Sequence, residues 1–386
     1  MQSLFAGRLT GRRVLVTGHT GFKGSWLCHW LTMIGAEVHG MALDPNENQI
    51  LYDQLSLGQR IASDHRIDIR DRERVITATQ SIAPEFVFHM AAQPLVRYSY
   101  GAPYETFAVN VMGTAAVLDA VLNLKNSCNV VVVTTDKCYE NREWEHAYRE
   151  SDPMGGHDPY SASKGCAELV TSAYRRSFAA QQTPPIRIAS ARAGNVIGGG
   201  DWATGRIVPD MFRALDRGDP ITIRNRVATR PWQHVLEPLS GYLWLAAMLD
   251  GCGKELSPPV SAARCCQAFN FGPSLSSNRT VEQLIQEFAK HTPIQMVDDR
   301  SPDPMHEAEQ LNLSIDRAFH RIKWRPVWDF ETAVRWTARY YSEIADPTGS
   351  LNRTNTSAIE FIQRQIECYR DDAVDIGLIW AGEHSA

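Results

Sequence analysis

The sequence predicts an α/β protein: a doubly wound parallel sheet, with helices on both faces, and a smaller mixed α/β domain behind it. Three observations carry this prediction. Short β-branched runs alternate with helical patterns as far as residue 190. Glycines at 18, 21 and 24 separate the first run from the first helix. After Arg192 the alternation weakens while glycine, proline and tryptophan become dense. Strands and helices alternating at this spacing mean parallel strands joined by crossover helices.

The first strand is Val14-Leu-Val-Thr17, and the first helix begins near Trp26. Between them, a turn containing Gly18, Thr20, Gly21, Phe22, Lys23 and Gly24 lets the backbone approach a pyrophosphate. That group then rests on the N–H groups and positive dipole of the helix. Taken alone, the pattern also fits a plain glycine turn before a core helix. The second strand, 38–43, ends at Asp44, 20 residues after Gly24. A carboxylate there takes the ribose hydroxyls of NAD and repels the 2′-phosphate of NADP, or only opens the turn Asp44-Pro45-Asn46. A short strand over 66–71 ends in charge, and its Asp68 and Ile69 either meet an adenine edge or, for Asp68, face solvent.

A helix over 71–82 leads to the buried strand 86–91, and a helix over 103–124 leads to 129–134, the most apolar run of this half. A helix over 160–180 precedes the strand 186–190. The division expected is a dinucleotide-binding domain over 1–190, with return segments around 232–272, and a substrate domain over 191–345. Residues 346–386 form a tail: a polar linker to 357, then an amphipathic helix over 358–369 that docks on the chain or packs between subunits.

Two constellations carry chemistry. Tyr160 and Lys164 stand four apart, on one helix face. A phenol is a poor base near neutrality, and a neighbouring ammonium together with a positive nicotinamide favours the phenolate. Directly after the strand 129–133 come Thr135, Asp136 and Lys137, where side chains face the ligand. A hydroxyl, a carboxylate and an amine exceed what the oxidation of one alcohol requires, and point to an added acid–base step.

Composition excludes several classes. Hydrophobic residues make up 44% and charged residues 22%, as in ordinary globular proteins. A net charge of −5 without basic blocks argues against nucleic-acid binding. No run approaches the apolar length of a membrane span, and residues 1–13 lack a signal-peptide core. Eight scattered cysteines without Cys-x-x-Cys suit reduced thiols in the cytoplasm, with no metal site.

These motifs resemble the extended short-chain dehydrogenase/reductase family, which has the Rossmann fold, and within it the CDP-glucose members of the nucleotide-sugar 4,6-dehydratase branch. The matching stretches begin with Thr17–Ser25, Met90–Arg97, Thr135–Tyr139, Asp152–Gly156 and Pro159–Val170. Ala191–Trp202, Arg230–Pro238 and His306–Ala308 extend the match over roughly 9–342. The resemblance implies a tightly held NAD, recycled each turnover and also touching Ala91 and Ala92. Tyr160, helped by Thr135, takes the 4-hydroxyl proton of a nucleotide sugar, CDP-glucose. Asp136 then protonates the departing 6-hydroxyl, and the stored hydride returns at C6. Lys164 tunes Tyr160 and holds the nicotinamide ribose. The product, a 4-keto-6-deoxy sugar, would supply cell-surface polysaccharide.

On the substrate side the resemblance implies Gln93, Arg97, Asn195, Arg206, Arg230, His234 and His306, with structural salt bridges competing for Arg230 and His306. The dTDP-glucose relatives carry a glutamate as C5 base where this chain has Lys137. The lysine must therefore be a neutral amine, favoured by burial near Lys164, or an electrostatic stabiliser of an enolate. Helices 103–124 and 160–180 form a dimer bundle in the family, implying a homodimer or a tetramer of such dimers. Alternatives within the scaffold are a nucleotide-sugar 4-epimerase or a dehydratase acting on another nucleoside diphosphate glucose. A catalytically silent dinucleotide-binding module is the alternative of another class.

Overall fold

The computed structural model describes residues 1–223, 225–298, 310–344 and 357–382. Its valine- and isoleucine-rich runs form seven parallel strands: β1 (Arg13–Thr17), β2 (Glu37–Ala42), β3 (Ser63–Arg66), β4 (Phe86–His89), β5 (Cys128–Val133), β6 (Ile186–Arg192) and β7 (Ala268–Asn270). Their spatial order is β7-β6-β5-β4-β1-β2-β3. Because side chains alternate across a strand, each central strand feeds two cores. On β5, Val131 and Val133 enter one apolar cluster while Val130 and Val132 enter the other.

The second of these clusters lies beneath α2 (Arg72–Ile82), α3 (Pro103–Leu122) and α4 (Pro159–Ser177). The first lies beneath α1 (Phe22–Met33) and continues into the second lobe, to which α5 (Ile207–Arg217) belongs. α6 (Leu236–Leu249) packs against β5 and β6 of the sheet, and α7 (Phe330–Glu343) and α8 (Ala358–Asp375) join the same cluster. Every residue of α6 is buried. Short two-stranded pairs complete that lobe: Ile221–Ile223 with Met296–Asp298, and Thr229–Pro231 with Asn278–Thr280.

Three expectations need correction. The third strand ends at Arg66 rather than running from 66 to 71. It pairs on one side only and carries the polar run Ser63-Asp64-His65-Arg66, so no apolar alternation marks it. Residues 67–71 form the following loop, which sends Asp68 and Ile69 over the sheet end. α3 runs unbroken through a π turn at Ala108–Met112 and is long and apolar enough to pass for a membrane span, which the raw sequence did not suggest. Half of its apolar window is buried inside the protein. The tail helix runs on to Asp375 and docks on its own chain: Phe361, Ile362 and Ile366 enter the core, and the Tyr369 hydroxyl donates to Glu237 at 2.9 Å. Its linker, 346–356, lies outside the described residues.

In this strand order the connections from β1 and β4 leave in opposite directions, which opens a crevice beyond the strand carboxyl ends.

Candidate active site

The crevice is a cleft of about 1180 Å³, more than one small ligand requires. Its floor at one end is the glycine turn. Gly18 adopts a φ of +76°, and a Cβ at Gly24 would stand 2.1 Å from the Gly18 carbonyl oxygen. Glycine at 24 therefore lets α1 start directly against β1. Gly21 gives the first turn of α1 no side-chain cap, so its N–H groups suit a ligand's phosphates. Gly18, Thr20, Gly21, Phe22, Lys23 and Gly24 all line the cleft.

Thr17 fixes the opposite wall, its hydroxyl oxygen accepting from the N–H groups of Met90 and Ala91 at 3.1 and 3.2 Å. Ala91 and Ala92 thereby line the cleft, as do Asp44, Asp68 and Ile69. The Asp44 side chain is 86% exposed, with an oxygen 3.6 Å from Arg66 Nε. It stands at the cleft mouth, free to turn toward a ribose. Uncapped N–H groups, a glycine cradle and a carboxylate at the second strand end fit a dinucleotide.

At the centre, Asp158 caps α4, accepting from Ser161 N at 2.9 Å, and Pro159 takes the first helical position. Tyr160 and Lys164 follow on the cleft side, both buried. Asn110 locks this helix to its neighbours: its Nδ2 donates to Ser163 Oγ at 2.8 Å, and its Oδ1 accepts from Gln93 N at 2.8 Å. Thr135, Asp136 and Lys137 come over the end of β5. The Asp136 carboxylate is buried, accepts from the Thr135 hydroxyl at 2.8 Å and from Asn195 Nδ2 at 3.1 Å, and lies against Gly194. Asn195 takes a left-handed φ of +48° to make that contact.

Burial dominates the electrostatics. It pushes the Tyr160 phenol up to about 12, with Asp136 adding to the rise while Thr135 and Arg206 oppose it. The depressed phenol expected from Lys164 is therefore not a property of the protein's own groups. Burial lowers Lys164 to about 8, and Lys23 to about 8 with help from Arg206. Lys137 is only half-buried and pairs with neither Asp136 nor Glu140 among the described residues, so the deep burial expected for it is absent.

On the substrate side, Arg97, Asn195, Arg206 and Arg230 line the cleft. Arg206 is held by Asp201 at 3.0 Å, a carboxylate the sequence reading passed over. Two expectations fail. Gln93 is not part of the cleft lining: its Nε2 donates to the Thr106 hydroxyl on α3 at 2.9 Å and its Oε1 accepts from Leu95 N, which tie its loop to that helix. His234 is fully buried away from the cleft: Nδ1 accepts from Leu236 N at 3.2 Å, and Nε2 meets the Gln365 amide at 2.8 Å. In the sequence both sit inside matching blocks, which do not separate wall from core. His306 lies outside the described residues. Arg213 and Gly194 also line the cleft and were missed; Gly194 stood inside a quoted block, next to Asn195.

Comparison with known proteins agrees with this geometry. The family model described as GDP-mannose 4,6 dehydratase matches residues 15–337. A CDP-glucose 4,6-dehydratase of Salmonella typhimurium is 47% identical over 326 residues, covering 82% of this chain and 87% of the relative. A CDP-paratose 2-epimerase of Salmonella typhi is 27% identical, covering 84% and 99%. Among solved structures, the dTDP-glucose 4,6-dehydratase DesIV of Streptomyces venezuelae, with NAD bound, superposes with a TM-score of 0.69 at 22% identity, over 85% of this chain and 96% of that one. At that identity the superposition speaks for the fold. The family model and the 47% identical relative go further: this chain belongs to the nucleotide-sugar 4,6-dehydratase family.

Proposed function

We propose that this protein dehydrates CDP-glucose to CDP-4-dehydro-6-deoxyglucose, a hydro-lyase reaction with no net redox change. The observation that carries the reading is an oxidation pair, Tyr160 and Lys164, in one cleft with a buried, doubly hydrogen-bonded carboxylate, Asp136. NAD, held by the glycine turn, Asp44 and the loop at Asp68 and Ile69, supplies when bound a hydride acceptor for C4, a hydride donor for C6, and a positive ring that lowers the phenol.

Each protein group then has one task. Tyr160 takes the proton of the 4-hydroxyl, with the Thr135 hydroxyl aligning the pair. The resulting ketone acidifies the neighbouring C5–H, and Lys137, which lines the cleft, is the base we assign to that proton. Asp136, protonated as it enters this step, gives its proton to the departing 6-hydroxyl, which leaves as water. The hydride's return to C6 is matched by the C5 proton handed back from Lys137, and the 4-hydroxyl proton left on Tyr160 passes through the Thr135 hydroxyl to restore the acid form of Asp136. Gly194 and Asn195 hold Asp136 in place for this. Lys164 stays cationic and keeps Tyr160 responsive. Arg206 and Arg230 suit the substrate pyrophosphate, since guanidinium groups match phosphate oxygens in pairs; Arg97 and Asn195 complete that wall.

In this reading residues 1–190, with returns around 232–272, bind the cofactor, and 191–345 bind the nucleotide sugar. A homodimer through α3 and α4 is part of the proposal, supported by exposed Tyr104, Met112 and Leu169 on those helices. Cytoplasmic placement agrees with eight cysteines that are all free, and a role supplying deoxysugars to cell-surface polysaccharide is part of the same proposal. Incubating the enzyme and NAD with CDP-, dTDP- and UDP-glucose tests the assignment. A 4-keto-6-deoxy product should form fastest from the cytidine substrate; a 4-epimer, or preference for another base, would overturn it.

A further inference from the structure

The catalytic helix carries a buried charge that the steps above leave unused. Glu168 lies one turn beyond Lys164 on α4, its side chain 4% exposed. Its Oε1 accepts from the Thr134 hydroxyl at 2.6 Å. Its Oε2 accepts from the Ser190 hydroxyl at 2.7 Å and from Arg192 Nη2 at 2.9 Å. Arg192 in turn donates through Nη1 to the Tyr139 hydroxyl at 2.7 Å, which donates to Asn270 Oδ1 at the end of β7. One carboxylate thus fastens α4 to the ends of β5 and β6 and, through Arg192, to the turn behind Asp136. Thr134 directly precedes Thr135 and Asp136, so the tie runs between the two halves of the catalytic set.

The same carboxylate faces Lys164. The ammonium lies 3.4 Å from the Val133 carbonyl. Around it stand Lys23 from α1, His89 from β4, Cys138 from the turn after β5, and Tyr160 and Glu168 from its own helix. Burial holds His89 neutral, and it pushes the Cys138 thiol far up. Glu168, kept ionised by Arg192, Thr134 and Ser190, is the anion among these groups.

We propose that Glu168 is a positioning residue: it registers the helix bearing Tyr160 and Lys164 against the strand end bearing Thr135 and Asp136, and its charge keeps Lys164 an ammonium. The inference rests on the reading of Tyr160 and Lys164 as the oxidation pair. Burial lowers Lys164, and the Glu168 carboxylate is the charge that opposes this most strongly. Two unit charges one helical turn apart at an effective dielectric near 20 displace a titration by about one unit or more.

The test compares pH profiles of kcat for the NAD-loaded wild type, Glu168→Gln, and Glu168→Gln/Arg192→Met. The double change removes both buried charges, so no unpaired cation remains to unfold the protein, and it carries the test should the single variant not fold. Wild-type activity should fall on the alkaline side as Lys164 loses its proton. In the variants that limb should move to lower pH by about one unit, with kcat falling and KM little changed. An unmoved limb in the double variant would overturn the charge role, and an undiminished kcat would overturn the positioning role. A wild type without any alkaline limb, together with an active Lys164→Met, would instead strike at the reading of Lys164 itself.

Discussion

Gly194→Ala is the sharpest perturbation of the elimination step, because it adds one methyl group against one carboxylate. A Cβ at 194 would stand 1.9 Å from Asp136 Oδ2, 2.1 Å from Cγ and 2.3 Å from Oδ1. Ordinary contact needs about 3.5 Å, so the carboxylate or its backbone must retreat by more than an ångström. Neither the 2.8 Å bond from Thr135 nor the 3.1 Å bond from Asn195 survives such a shift. Misplacing a reacting group by that much costs on the order of 100-fold in rate, and overpacking costs about 1–3 kcal/mol in stability. Tyr160 and Lys164 sit on another element and are not displaced directly. The variant should therefore still oxidise C4 but dehydrate at least ~100-fold more slowly. Mixed with stoichiometric NAD and CDP-glucose, it should build up the near-ultraviolet absorbance of reduced nicotinamide while little keto-deoxy product forms. Wild-type dehydration, in a protein shown by thermal unfolding to be folded, would refute the placement of Asp136 as the acid.

Tyr160→Phe removes only a hydroxyl, so it should keep fold and NAD binding yet lose at least ~100-fold in turnover, measured as product formed and cofactor retained; near-normal turnover would move the base elsewhere. Lys137→Met should oxidise C4 and stall. Lys137→Arg should fail equally, since a guanidinium stays protonated; an active arginine variant would make Lys137 an electrostatic group instead of a base. Glu237→Ala strips the acceptor from the N–H groups of Val327 and Trp328 and from the Tyr369 hydroxyl. It should cost about 3 kcal/mol or more and loosen α8, seen as a lowered unfolding midpoint and faster proteolysis of the tail, with turnover preserved at low temperature.

What was legible in the sequence was whatever one local rule dictates. Buried parallel strands read as valine runs, so β1, β4, β5 and β6 were visible within a few residues. β3 was not, because an edge strand paired on one side tolerates Ser63-Asp64-His65-Arg66 and leaves no apolar signature. Tyr160 and Lys164 were legible because helical spacing alone puts them on one face. His234 and Gln93 misled because proximity to matching motifs says nothing about which way a side chain turns. Gly194 and Asp201 escaped because their tasks, leaving room for Asp136 and holding Arg206, exist only once distant segments meet. Glu168 carries no signal of its own in the helix pattern, because its task exists only once Thr134, Ser190 and Arg192 close around it.

The central claim is that one hydride leaves C4 and comes back at C6 of the same sugar. CDP-glucose carrying deuterium at C4 tests it directly, with product read by mass spectrometry and NMR. The account predicts deuterium at C6 of the 4-keto-6-deoxy product and no net reduction of added NAD. Label lost to solvent, released in free reduced cofactor, or still at C4 of an epimer would contradict it.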